Sequence, residues 1–90
     1  MTQQIDTTNA QGETPGFAIA AGTIIQVAGA AGTKAVIELH ARIDQNAPWA
    51  YVGSVTVASE AFLAVDAAFA DAKLVWNGNT AGAALKAWSV

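Results

Sequence analysis

Ninety residues with a formal net charge of −3 make one small domain. No cysteine is present, which excludes disulfides and thiolate metal sites, and the acidic balance gives no basic footprint for nucleic acid. Only 12 % of residues are charged, so the surface is poorly protected against association with other chains.

Residues 1–16, MTQQIDTTNAQGETPG, are polar, with Ile5 their one large aliphatic side chain. Such a segment buries too little to fold alone. It reads as an extended N-terminal arm outside a domain of residues 17–90. The plainest fate of the arm is to fray; the functional one is to order on a neighbouring subunit. The N-terminus has neither the basic start nor the apolar core of a signal peptide. No apolar stretch is long enough for a membrane-spanning helix.

Phe17–Ala20 is a short apolar run, an edge strand, and Ala21–Gly22 turns the chain. Thr23–Val27 is rich in β-branched residues and reads as a strand. Ala28–Gly32 follows as a flexible loop. The tetrapeptide AAGT occurs at residues 20–23 and 30–33, each time before an apolar strand, which is shared turn chemistry rather than a repeat architecture.

From Ala35 to Asp44 apolar residues alternate with Glu38, His40, Arg42 and Asp44, the pattern of a half-buried strand in an antiparallel sheet. Asp44–Pro48 breaks it with turn formers. Trp49–Val57 resumes with aromatic and β-branched residues, and strict alternation puts Trp49, Tyr51, Val55 and Val57 on one face. The whole of Ala35–Val57 is a predicted β-hairpin, the centre of the fold.

Ala58–Ala72 is ambiguous. Its alanines and Ser59 as a cap suit a helix, but Phe62, Ala64 and Asp66 alternate with Leu63, Val65 and Ala67. A strand followed by a turn fits the context better. Lys73–Trp76 is a strand, Asn77–Gly82 a loop, and Ala83–Val90 a returning strand with Leu85, Ala87 and Ser89 opposite Lys86, Trp88 and Val90. These last two strands are predicted to form a hairpin that pins the C-terminus in a sheet. Six to eight short strands with regular turns specify an all-β fold, a small antiparallel β-sandwich or partly open barrel.

Candidate chemistry is thin. Glu38, His40, Arg42 and Asp44 share a strand face, but neighbours on it are about 7 Å apart, too far for direct contact. Without a second histidine or a cysteine there is no metal site. A solvated face with weak ion pairs is the simple reading. Asp66 and Asp71 are a carboxylate pair of the kind glycosidases use, without evident room for a cleft. The glycines lack the strand–loop–helix frame of a phosphate loop. No catalytic residue, cofactor or metal is assigned, and the chain is read as a non-enzyme. Trp49, Tyr51, Trp76 and Trp88 fit a core first, a subunit interface second and a carbohydrate platform third. The candidate interface residues are Ile5, Phe17, Trp49, Tyr51, Trp76 and Trp88.

The hairpin AVIELHARIDQNAPWAYVGSVTV, with its V-I-E-L-x-x-x-I-D strand, polar turn and W-x-x-V-G-x-V-x-V strand, resembles small β-sandwich structural proteins of tailed bacteriophages. The end of the chain, AKLVWNGNTAGAALKAW, is similar to their last hairpin. The resemblance covers about half the chain and is a layout of strands and turns, not a catalytic signature; Ser59–Ala72 departs from it. It implies a virion protein, assembled in the host cytoplasm, that decorates or cements the capsid as a homo-oligomer bound to a major capsid protein. Neck, tail or baseplate sites are the alternatives within that family. A glycan-binding module is the alternative outside it.

Overall fold

A computed structural model describes residues 2–30, 33–57, 60–80 and 82–90. Ser59 and the Ala31–Gly32 part of the second AAGT loop lie outside the described residues. The strands are β1 (Thr2–Thr7), β2 (Gly12–Glu13), β3 (Phe17–Ile19), β4 (Thr23–Gly29), β5 (Val36–Arg42), β6 (Ala50–Thr56), β7 (Glu60–Val65), β8 (Phe69–Asn77) and β9 (Leu85–Ser89). One sheet has the order β1-β9-β4-β7; the other is β2-β8-β5-β6, with β3 also paired to β8. All pairings are antiparallel. The two sheets pack into the expected β-sandwich.

β5 occupies one edge of β8 from end to end, so β2 and β3 follow one another along the other edge. They act as one strand interrupted at Thr14–Gly16. Pro15 cannot donate to a ladder and marks the break. Thr14 bridges it: its N–H donates to the Leu74 carbonyl at 2.9 Å, and its hydroxyl accepts from the Leu74 N–H at 3.0 Å.

With β2 and β3 counted together, each sheet has four strands, and among the described strands only the β5–β6 connection stays within one sheet. The pairs β1·β9, β2/β3·β8, β4·β7 and β5·β6 are successive stretches of one long antiparallel ribbon. Thr2 faces Ser89, Gly12 faces Trp76, Thr23 faces Val65 and Val36 faces Thr56. The ribbon folds at Asp44–Pro48, the middle of the chain. It rolls up by setting β9 against β4 and β8 against β5. This strand order is that of a jelly roll.

Alternation decides what lies between the sheets. Ile25, Val27, Leu85 and Ala87 of the first sheet face Ile37, Leu39, Ala72 and Leu74 of the second, all of them fully buried. Val57, Trp76, Ile5, Ile19, Ala35, Ala41 and Val65 complete the core. The Trp76 ring packs against Gly12, where a Cβ atom would come within 2.5 Å of the ring.

Two expectations are corrected. The N-terminal segment is extended, but it is not an arm outside the domain: β1 pairs with β9, β2 pairs with β8, and Ile5 is 3 % exposed inside the sandwich. Pairing along a whole strand and burial of one isoleucine supply what the polar composition lacks. The last two strands are not a hairpin, because β8 and β9 belong to different sheets. The C-terminus is nonetheless held in a sheet, between β1 and β4. The ambiguous stretch resolves as strand and turn, with β7 ending at Val65 and β8 starting at Phe69, four residues before the expected Lys73.

The crossover from β8 to β9 is held by a buried polar knot. The Asn79 side chain accepts from the Thr33 hydroxyl at 2.8 Å and donates to the carbonyls of Asn9 at 3.1 Å and Ala83 at 2.9 Å. The Asn79 N–H donates to Ala10, and Gly82 N–H donates to Thr8. One amide thus ties three loops at one end of the sandwich. Asn79→Asp replaces two donors by acceptors aimed at carbonyls. It should cost about 3 kcal/mol, the range for leaving buried polar groups unpaired, read from the midpoint of urea unfolding with an unchanged slope.

Candidate interaction surfaces

The outer face of the β5-containing sheet carries the charged residues. Glu38, His40 and Arg42 point outward from β5 because Ile37, Leu39 and Ala41 point inward. Arg42 is paired across the ladder with Asp71 of β8, and both its Nε (2.9 Å) and its Nη2 (2.8 Å) reach the same carboxylate oxygen. Lys73, next along that face of β8, reaches Glu13 of β2 at 3.2 Å. Glu38 and His40 are in contact after all, Oε1 to Nε2 at 3.1 Å. Backbone spacing alone suggested they were too far apart; two long side chains leaning along the strand close the gap.

Trp49 and Tyr51 join this face. Strict alternation would have put Tyr51 inside with Val55 and Val57. The register instead shifts between Leu39↔Gly53 and His40↔Tyr51, leaving Val52 as an extra residue in a β-bulge. The bulge reverses the facing of everything before it. Tyr51 is 59 % exposed, edge-on to the His40 ring with centroids 6.0 Å apart, and its hydroxyl donates to Ser54 Oγ at 2.9 Å. The Trp49 ring has the Arg42 guanidinium 4.2 Å and the Lys73 ammonium 4.6 Å from its centroid. Its π-cloud is therefore engaged by cations from within the chain. The face is an internally paired, half-buried network; the expected ion pairs form, but Asp44 is not on it, since β5 ends at Arg42 and the Asp44 carboxylate accepts from the Asn46 N–H in the turn. Among the described residues no group of three metal-ligating side chains converges.

The other outer face mixes exposed apolar side chains with Gln26, Lys86 and, from β1, Asp6. On the β4-containing sheet, Ile25, Val27, Leu85 and Ala87 turn inward, so Ile24, Gln26, Ala28, Phe62, Ala64, Lys86 and Trp88 turn outward. Trp88, Gln26 and Phe62 form one row across β9, β4 and β7; Val90, Ile24 and Ala64 form the next. Phe62 is 66 % exposed, Ile24 42 % and Val90 73 %.

Of the sequence-derived candidates, Ile5 and Trp76 lie in the core, and Phe17 is half-buried against it. Trp49 and Tyr51 lie on the ionic face and Trp88 on the other, so the six residues do not form a single patch. The aromatics are mostly outside, contrary to their first reading as core. Strands of five to nine residues enclose a space that Ile, Leu, Val and Ala already fill. Phe62, Ile24 and Val90 were missed as surface candidates. The signal was present: Phe62 shares its parity with Asp66, and Val90 with Lys86. An open groove of about 400 Å³ lies beside the ribbon tip, between Phe17, Ile43, Asp44 and Asp71. Asp71 there is already held by Arg42, and Asp66 sits exposed in the β7–β8 turn.

The bulge is testable. Val52 is itself exposed, so Val52→Ala should change stability by no more than about 0.5 kcal/mol. Deleting Val52 would drive Tyr51 and Trp49 toward a filled core and should abolish cooperative thermal unfolding. A deletion variant that melts like the parent would show that the bulge does not set the facing. In comparisons with known proteins, no family model matches the chain, and no curated protein matches it.

Proposed function

We propose that this chain is a virion structural protein of a tailed bacteriophage, a capsid decoration or cement protein. It acts without catalysis, as a homo-oligomer that docks on a major capsid protein after assembly in the host cytoplasm. The observation that carries this reading is the cluster of Ile24, Trp88 and Val90, side by side on the outer face of the β4-containing sheet. A small domain gains little by leaving such residues in water, and their burial against another protein is worth about 25 cal/mol per Å² before association costs. The sparse charge supports the same reading, as does the resemblance of the Ala35–Val57 segment to phage β-sandwich proteins. A neck, tail or baseplate position would use the same face. The carbohydrate alternative is weakened, because of its three platform residues Trp76 is buried and Trp49 is covered by cations, which leaves Tyr51.

The test is occupancy on particles produced by the genome that encodes this chain, measured by quantitative mass spectrometry of purified virions. The parent chain should be present in many copies. The double variant Ile24→Lys, Trp88→Ala should lower the affinity at least about tenfold, a loss of about 1.4 kcal/mol, while the purified variant keeps its far-ultraviolet dichroism. Virions that lack the parent chain, or that retain the double variant in full, would sink the proposal.

A further inference from the structure

Each sheet ends in two edge strands, and an edge is a row of backbone donors and acceptors open to another strand. Three of the four edges here are interrupted. β1 has a register shift between Gln3 and Ile5, β2/β3 is broken at Pro15, and β6 carries the bulge at Val52. β7 is different. It pairs with β4 in unbroken register from Thr23↔Val65 to Ala28↔Glu60. From Ala61 to Val65 it has no charged residue, proline or glycine. Its one charged residue is Glu60, at its first position, and no proline, glycine or bulge interrupts it.

The direction of its free groups follows from the ladder. Ile24 and Val90 exchange both backbone hydrogen bonds, at 2.9 and 3.0 Å, so the Ile24 N–H and C=O face β9. Alternation then turns Thr23, Ile25 and Val27 toward β7, where Val65, Leu63 and Ala61 meet them. The N–H and C=O groups of Phe62 and Ala64 are left pointing out of the sheet edge. β6 does not cover that edge: it lies over the inner face, with the Leu63 side chain 3.5 Å from where a Gly53 Cβ would stand. The edge therefore calls for an extended backbone rather than a surface or a small molecule.

We propose that the occupant is β7 of a second copy, paired antiparallel about a two-fold axis at Phe62, which joins the two four-stranded sheets into one. The segment is self-complementary in the way an isologous contact needs. With Phe62 opposite Phe62 of the copy, the outward-facing backbone groups of both strands coincide, and Glu60 of each pairs with Ala64 of the other, so that the two glutamates are not partners. The two exposed phenyl rings become a cross-strand pair on the outer face. The rows through Trp88 and Ile24 then run across both copies. This deepens the homo-oligomer part of the proposed function by naming the edge that forms it, and it rests on that reading only for the oligomer's use on a particle.

The experiment is light scattering of the purified full chain from about 1 μM to about 1 mM, with two variants. Ala64→Pro removes an N–H that the β4 ladder does not use, and Phe62→Lys puts a charge beside its copy across the axis; neither touches the core. The parent should show twice the chain mass, and both variants the chain mass, with melting curves that stay cooperative. A parent that remains at the chain mass throughout overturns the proposal. So do variants that both remain at twice the mass, because the contact then lies elsewhere. Neither result alters particle occupancy as measured with Ile24 and Trp88, so this proposal and the virion reading can fail separately.

Discussion

The structure depends on antiparallel pairing about one turn. Asp44 accepts from the Asn46 N–H through its side chain at 2.8 Å and from the Ala47 N–H through its carbonyl at 3.0 Å. Pro48 follows, and the chain reverses. Once that reversal is made, residues equally distant from the turn on its two sides become partners, out to Thr2 and Ser89. A ribbon this long cannot stay flat, because each arm has an apolar side to bury. Coiling it brings β9 to β4 and β8 to β5, and both arms bury their apolar sides in one core.

Rolling gives the two outer faces unlike characters. On the second sheet, cross-strand register sets Arg42 beside Asp71, and the next residue pair sets Lys73 within reach of Glu13. Each such pair is worth little in water, but together they leave few unmet charges. On the first sheet the same alternation exposes isoleucine, phenylalanine, valine and a half-buried tryptophan. One face is thus paired within the chain, and the other leaves apolar side chains exposed beside Gln26 and Lys86.

The core that supports this is small. Its largest fully buried side chains are Ile25, Ile37, Leu39, Leu74 and Leu85. A domain of this size gains limited stability from burial alone. Specific devices add to it: the Asn79 knot closes one end, Trp76 seals the sheet edge over Gly12 and donates to the Asn9 carbonyl at 3.3 Å, and Thr14 carries the ladder across the proline break. Among the described residues every buried side-chain polar atom has a partner, as a native-like interior requires.

Local sequence determined the elements. Alternation over Ala35–Asp44, β-branched runs, and turn residues at Asp44–Pro48 specify strands and a central hairpin without reference to the rest of the chain. The alternation of Leu85 and Ala87 with Trp88 is legible, but Trp88 reads as core, and only the burial of Leu85 and Ala87 shows which side faces out. Tertiary structure decided what local pattern cannot carry. A polar N-terminal segment became β1 because β9 offered it a full ladder and a place for Ile5. β8 and β9 parted into different sheets because each had a better-matched partner elsewhere in the ribbon. The facing of Tyr51 was settled by one unpaired residue, Val52, since a period of two inverts whenever a single position is added and nothing in the strand's own composition records where that happens.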